Sequence, residues 1–308
     1  MSEKLTKNER RAQARDQARK MQEERRRKER MKKGLTVGGI IVAAVAVVAV
    51  VAIVIVNSIR PAGPGPENMA SNGIVIGQDF VAERTAATPP EGDLTPTEPR
   101  DDIIQIEIYQ DYMCPVCNTF EETNRATIEQ LVSSGAATVE IHPIAILDRL
   151  SLGTKYSTRS ASAAGCVAEY APDKFWDFNG AMFEGQPAEN TSGLANDEII
   201  AVVESAGIDT TTGIADCINE GRFMSWAENA TVRAGTEPLP GSDNVVADRT
   251  PTVLVNGQQY PGSPADAAGF SAFVTAAAGQ LTGETPAETE APAETEAPAE
   301  TTAPADEG

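Results

Sequence analysis

Few residues in this chain could carry redox or nucleophilic chemistry: its 308 residues include four cysteines and one histidine. Two of the cysteines sit close together in Tyr109-Gln110-Asp111-Tyr112-Met113-Cys114-Pro115-Val116-Cys117. A Cys-x-x-Cys pair can hold a metal or cycle between dithiol and disulfide, and its context decides which. Here the run Ile103–Ile108 before it reads as a strand, and Asn118 to Val132 after it reads as a helix. Strand, short turn, Cys-x-x-Cys and helix is the setting of thiol–disulfide exchange. The unpaired N–H groups and positive dipole end at a helix start stabilise a thiolate, lowering its pKa from the free value of about 8.5. The second thiol, one turn on, is placed to attack a mixed disulfide, so two electrons can pass to or from a partner protein. No cofactor and no metal are expected, because nothing in the sequence makes the remaining cysteines or the lone histidine converge on the motif.

The other pair, Cys166 and Cys217, falls in a helical region. In an oxidising compartment such a remaining even pair reads as a structural disulfide, the rival being a second redox relay, which would lack its own Cys-x-x-Cys. His142 precedes Pro143 on a strand and lacks a Gly-x-Ser-x-Gly or similar nucleophile element, so it reads as a structural or surface histidine. Phe175, Trp176, Phe178 and Phe183 stand at helical spacing and read as core rather than as a peptide groove.

Periodicity sets the elements that must position the motif. A strand at Ile103–Gln110, the Cys-x-x-Cys helix to about Ser134 and a strand at Ala137–Ile146 make a parallel βαβ unit. Helical patterns follow from Thr154 to about Thr236, including Ser157–Tyr170, Lys174–Phe183 and Asp197–Ala206. Strand character returns at Pro251–Val255, and Asn256-Gly257 predicts a type I′ hairpin into Gln258–Tyr260. A final helix is expected over Pro264–Ala278. The compact part is expected to start near Asp101, giving a domain over 101–283 with a helical insertion at about 151–245.

Outside it, residues 1–33 hold fourteen Lys/Arg and six Asp/Glu, a charge of +8, which leaves −28 for the rest of a chain whose net charge is −20. An acidic exterior of that size argues against nucleic-acid binding. Segment 34–56 contains the uncharged run Leu35–Val56, about 33 Å long as a helix and sufficient to cross a bilayer. It is longer than a signal-peptide core, follows a long basic lead and lacks an Ala-x-Ala site, so it reads as an uncleaved anchor. The basic lead puts the amino end in the cytoplasm and everything after residue 57 outside. Residues 57–100 read as linker with a short edge strand at Gly73–Gly77. Residues 284–308, four Pro- and acid-containing hexads from Thr285, read as a disordered solubilising tail.

The ensemble resembles the DsbA-like branch of the thioredoxin superfamily, α/β proteins with a helical domain inserted between βαβ and ββα halves. The resemblance spans roughly Asp101 to Leu281. It rests on Tyr109–Cys117, Ala163-Ala164-Gly165-Cys166 followed by Lys174–Phe178, and Thr250-Pro251-Thr252 leading to Val255-Asn256-Gly257. It implies that Cys114 is the nucleophile and the more exposed thiol, and that Cys117 is the buried resolving thiol. Pro115 and Val116 would tune the potential, and Thr250-Pro251 would form a cis-proline loop that docks an extended substrate. Relatives with CPHC use the histidine to stabilise the thiolate, which Val116 cannot do. Many carry a buried acid six residues before the first cysteine; here that position is Ile108, which leaves proton handling open between Glu107 and Asp111. The implied activity is insertion of disulfides into reduced exported proteins. Reoxidation would come from a quinone-linked, vitamin-K-epoxide-reductase-like protein of the plasma membrane. A reductase or isomerase of the same fold, or a non-catalytic binding or chaperone module of the cell envelope, are the alternatives.

Overall fold

In a computed structural model, the described residues are 63–89 and 93–282, together with 19–21, 23, 25–28 and 31. The expected anchor at 34–56 and tail at 284–308 lie outside them, and among the described residues no helix is long and apolar enough to cross a membrane. The amino-terminal unit ends at Pro61. Its described residues are helical and exposed, as its Arg, Lys, Gln and Glu favour.

The second unit is built on a five-stranded sheet. Its strands are β1 (Ile74–Ile76), β2 (Ile104–Gln110), β3 (Ala137–Pro143), β4 (Thr252–Val255) and β5 (Gln258–Gln259), in the order β1-β3-β2-β4-β5. β2 and β3 are parallel and joined by helix α1 (Pro115–Ser133), whereas β4 runs antiparallel to β2. Alternation divides β2 cleanly. Ile104, Ile106 and Ile108 join Phe120, Ile128 and Val132 of α1 in the main core. Tyr109 joins a smaller cluster with Ile144, Leu239 and Leu254. The alternation of side chains thus leaves Gln105, Glu107 and Tyr109 on the face opposite the isoleucines.

Five helices follow: α2 (Tyr156–Tyr170), α3 (Phe175–Glu184), α4 (Asn196–Ser205), α5 (Ile214–Glu220) and α6 (Met224–Thr236). α2 is the hub. Ser160, Ala161, Ala163, Ala164 and Gly165 are buried along it, and such small side chains let neighbouring helices approach closely. At Gly165 a Cβ would stand 3.1 Å from the Phe223 ring. Phe175, Trp176, Phe178 and Phe183 are all core residues, as their spacing predicts.

The chain then returns to the sheet. Asn256 and Gly257 both have positive φ, 48° and 75°, as a type I′ turn between β4 and β5 requires. A Cβ at Gly257 would lie 2.1 Å from the Gly241 carbonyl oxygen, so the turn needs glycine for space as well as for φ. The last helix, α7 (Ala267–Thr282), begins three residues later than Pro264. Asp266 caps it by accepting the Gly269 amide at 2.9 Å.

Two boundaries differ from expectation. The packed unit begins well before Asp101: Met69 is fully buried and β1 pairs antiparallel with β3 through Ile74↔Ile141. The segment's Pro and Gly content hides this, because its buried apolar residues (Met69, Ile74, Val75, Ile76 and Ala82) are few. Asn68 also donates to the Ala168 carbonyl at 2.9 Å, tying the segment to α2. β3 ends at Pro143 rather than Ile146: the Ile144 amide still donates to the Gln110 carbonyl of β2 at 2.8 Å, but amides beyond it find partners off the sheet. Ala145 donates to the Thr231 hydroxyl and Leu147 to the Asp111 carboxylate, both at 2.9 Å.

Candidate active site

β2 delivers the motif to the carboxyl end of the central strand, where Asp111 turns the chain. The Cys114 amide donates to the Asp111 carbonyl at 2.9 Å, and the Met113 amide to its carboxylate at 2.9 Å. Cys114 is the N-cap residue of α1, with extended backbone, and Pro115 takes the first helical position, where no N–H is needed. Cys117 lies one turn inside, its amide donating to the Cys114 carbonyl at 3.1 Å. Both thiols are free and buried. Cys114 retains 6% exposure and Cys117 2%, so the expected order holds, while Val116 is 47% exposed beside them.

The two thiols are driven apart in acidity. The Cys114 thiol is pulled down to about 6, chiefly by hydrogen bonding from Cys117, which together with Thr250 and the Val116 and Cys117 amides outweighs its partial burial. Burial, and then the neighbouring Cys114, push Cys117 well above its ordinary value. One sulfur is therefore a stable thiolate at neutral pH and the other is held as a thiol, the division that nucleophile and resolving group require.

Of the two acids left open, Asp111 belongs to the site. It is fully buried, its carboxylate accepting the Met113 and Leu147 amides. Burial pushes it up to about 7 against those hydrogen bonds, and the charge on Cys114 adds to the rise. Glu107 projects from the sheet face that also carries Glu140 and His142, away from the isoleucine core in which Cys114 and Cys117 lie.

The inserted helices hold the motif from the other side. Gln186, just beyond α3, donates its side-chain amide to the carbonyls of Tyr112, at 3.1 Å, and Cys114, at 3.0 Å. Asn179 of α3 accepts from Gln110 and from the Tyr112 hydroxyl. Arg125 of α1 pairs with Glu121 and Glu129 and stacks 4.4 Å from the Trp176 ring, tying α1 to α3. Gln186 and Asn179 carry no sequence signal for these contacts, since a lone amide in a helical block looks like any surface amide.

Thr250-Pro251 is cis and faces the motif: the Cys114 thiol donates to the Thr250 carbonyl at 3.4 Å. Cys166 and Cys217 are bonded to each other, joining α2 to α5 with both sulfurs inside the core, apart from the free thiol pair. His142 is buried at 2% exposure, which removes the surface alternative.

A parallel βαβ half, a helical insertion and a ββα half, with a split-acidity thiol pair facing a cis-proline loop, define a thioredoxin-like dithiol protein. The family model described as thioredoxin matches residues 104–276, more than half of the chain, and the chain belongs to that family. Among solved structures it is similar to oxidised DsbA of Mycobacterium tuberculosis. The two are 27% identical, and the match covers 70% of this chain and 94% of that one with a TM-score of 0.50. It is also similar to the reduced disulfide bond oxidoreductase DsbG of Mycobacterium tuberculosis, 30% identical over 59% of this chain and 80% of that one, with a TM-score of 0.48. Its fold is that of a DsbA-like thioredoxin-family protein. A curated relative, the serine/threonine-protein kinase PknE of Mycobacterium tuberculosis, is 29% identical over 140 residues, 44% of this chain. The chain spans about a quarter of the length of that relative, the matched share being 24%.

Proposed function

We propose that the chain is a membrane-anchored, extracytoplasmic thiol–disulfide oxidase that introduces disulfides into exported proteins. In the oxidised form a substrate thiolate attacks Cys114 Sγ, the Cys114–Cys117 bond breaks, and Cys117 departs and takes a proton. The substrate's second thiolate then attacks its own sulfur in the mixed disulfide. Cys114 leaves as a thiolate, the substrate gains a disulfide, and the chain holds the two electrons as a dithiol. Pro115 and Val116 set the potential of the pair. The Thr250-Pro251 loop receives the substrate as an added extended strand, and Asp111 carries the proton that Cys117 takes or loses.

The observation that carries the oxidising direction is the lowered pKa of Cys114, its raised acidity. Stabilising the thiolate stabilises the reduced form, which makes the disulfide the better oxidant, and a low-pKa thiol leaves faster. Anchoring by segment 34–56 is supported by the uncharged run Leu35–Val56 behind a basic lead, with the amino end cytoplasmic and the catalytic domain outside. Reoxidation falls to a membrane quinone-linked, vitamin-K-epoxide-reductase-like partner, the one component that turnover needs and the dithiol site does not supply.

The test is oxidative refolding of a reduced, denatured model substrate by the pre-oxidised full chain, against Cys114→Ser. Substrate disulfides should form with the wild type and not with the variant. A reduction potential at or below that of thioredoxin, about −270 mV, would make the chain a reductase and overturn the direction.

A further inference from the structure

On the sheet face away from the thiols, β2 and β3 bring together three groups that the redox site does not use. Their parallel register sets Glu107 beside Glu140 and Tyr109 beside His142. One donor atom each from Glu107, Glu140 and His142 lie within 4.8 Å of one another. His142 Nε2 is 3.3 Å from Glu140 Oε1. The ring is 2% exposed, yet neither of its nitrogens has a hydrogen-bond partner among the described residues. It is held by packing instead: it stacks on Tyr109 with centroids 4.1 Å apart. A Cβ on Gly73 would stand 2.5 Å from its Cε1.

A buried carboxylate beside a half-buried one is costly without a compensating positive charge, and a buried imidazole whose only polar neighbour is a carboxylate oxygen 3.3 Å away is poorly satisfied. We propose that Glu107, Glu140 and His142 form a binding site for one divalent cation of the zinc class. Mixed imidazole and carboxylate donors suit zinc and its first-row neighbours, whereas calcium and magnesium prefer all-oxygen shells. A tetrahedral ion with bonds of roughly 2.0–2.1 Å has donor–donor edges of about 3.3 Å, the separation found between His142 and Glu140. Glu107 closes the triangle by a small side-chain rotation, and water completes the shell from a cavity of about 160 Å³ that all three line. Ser71 donates to Glu140 Oε1 and orients it, as outer-shell partners of metal ligands do. His142 also lines a neighbouring cavity of about 250 Å³, where water can take the N–H of its other nitrogen. The ion would bridge β2 and β3 without touching the thiols, a structural site independent of the oxidase reading.

The experiment is zinc titration of the tag-free full chain in mild detergent, in its oxidised form, so that Cys114 and Cys117 cannot ligate. Excess magnesium and calcium mask the acidic exterior. One zinc per chain should bind, be removed by chelator and raise the melting temperature, and Glu107→Gln and His142→Gln should each weaken binding at least tenfold. Because the chain has one histidine, its imidazole resonances report the site in the wild type whether or not a variant folds, and they should shift on zinc addition. Unshifted histidine resonances, or equal affinity in wild type and folded variants, would overturn the site.

Discussion

The Cys114 Sγ lies 3.4 Å from the backbone carbonyl oxygen of Thr250, across 136 positions of sequence. That contact joins the βαβ half to the ββα half at the one sulfur able to react at neutral pH. It also places the backbone of the cis-proline loop where an extended substrate would lie against the thiol. The chemistry and the docking edge thus arrive at one point from opposite ends of the domain.

The first consequence concerns pH. Cys114 titrates near 6, against about 8.5 for a free cysteine. Alkylation of the reduced protein by iodoacetamide should therefore gain its Cys114 component with a midpoint near 6. The linkage has a definite sign: a folded pKa below the unfolded one adds stability to the reduced form above the unfolded pKa, and that stability is lost as pH falls through about 6. A Cys114 midpoint above 8 would remove the thiolate from the mechanism.

Asp111 makes the opposite prediction. Its carboxyl is raised to about 7 by burial, so its contribution to stability is present below the ordinary carboxylate range and is lost as pH rises through about 7. Measured in the disulfide form, where the thiols do not titrate, the wild type should lose stability to urea between pH 5 and 8, and Asp111→Asn should lose less. If Asp111 carries the proton, the same variant should slow exchange at neutral pH by about 10²-fold, at the low end for a positioned acid–base group. An unchanged rate would reduce it to a loop-shaping residue.

Gln186 tests the clamp from the insertion. Gln186→Leu leaves the Tyr112 carbonyl without its donor and takes one from the Cys114 carbonyl, which keeps the Cys117 and Asn118 amides. Unsatisfied buried acceptors of this kind cost about 1–3 kcal/mol. Urea unfolding should show that loss, and exchange should slow because the turn from Tyr112 to Cys114 loses its tie to the insertion. Wild-type stability and rate would mean that α1 holds the motif alone.

The Cys166–Cys217 bond closes a loop of sequence separation 51, for which chain entropy assigns a stabilisation of about 4 kcal/mol. The double variant Cys166→Ala, Cys217→Ala should unfold at correspondingly lower denaturant concentration while keeping the Cys114–Cys117 exchange rate. Loss of exchange in a folded double variant would indicate a second redox relay.

What the sequence disclosed follows from the range of the interactions involved. Cys114 and Cys117 were legible because strand, spacing and helix lie in one short run, and Asn256-Gly257 because a type I′ turn is local. Thr250-Pro251 became legible only through the family pattern, since nothing local marks an X–Pro bond as cis. The place of Asp111 was hidden. Its carboxylate is held by the Leu147 amide, distant in sequence, and Glu107 stayed open beside it until the pleat put it on the other face. Residues 57–100 read as linker with only a short edge strand at Gly73–Gly77, because five buried apolar side chains spread over a Pro- and Gly-rich segment make no longer period. Gln186 and the unpartnered ring of His142 depend wholly on tertiary placement.

The central claim, that Cys114 acts as a thiolate poised to leave a mixed disulfide and so makes the chain an oxidant, is tested most directly by one redox titration. The Cys114–Cys117 pair is equilibrated with glutathione buffers and its reduced fraction is read by alkylation. The account predicts a potential more oxidising than thioredoxin's, about −270 mV, in a variant lacking Cys166 and Cys217 as in the wild type. A value at or below that of thioredoxin would contradict it.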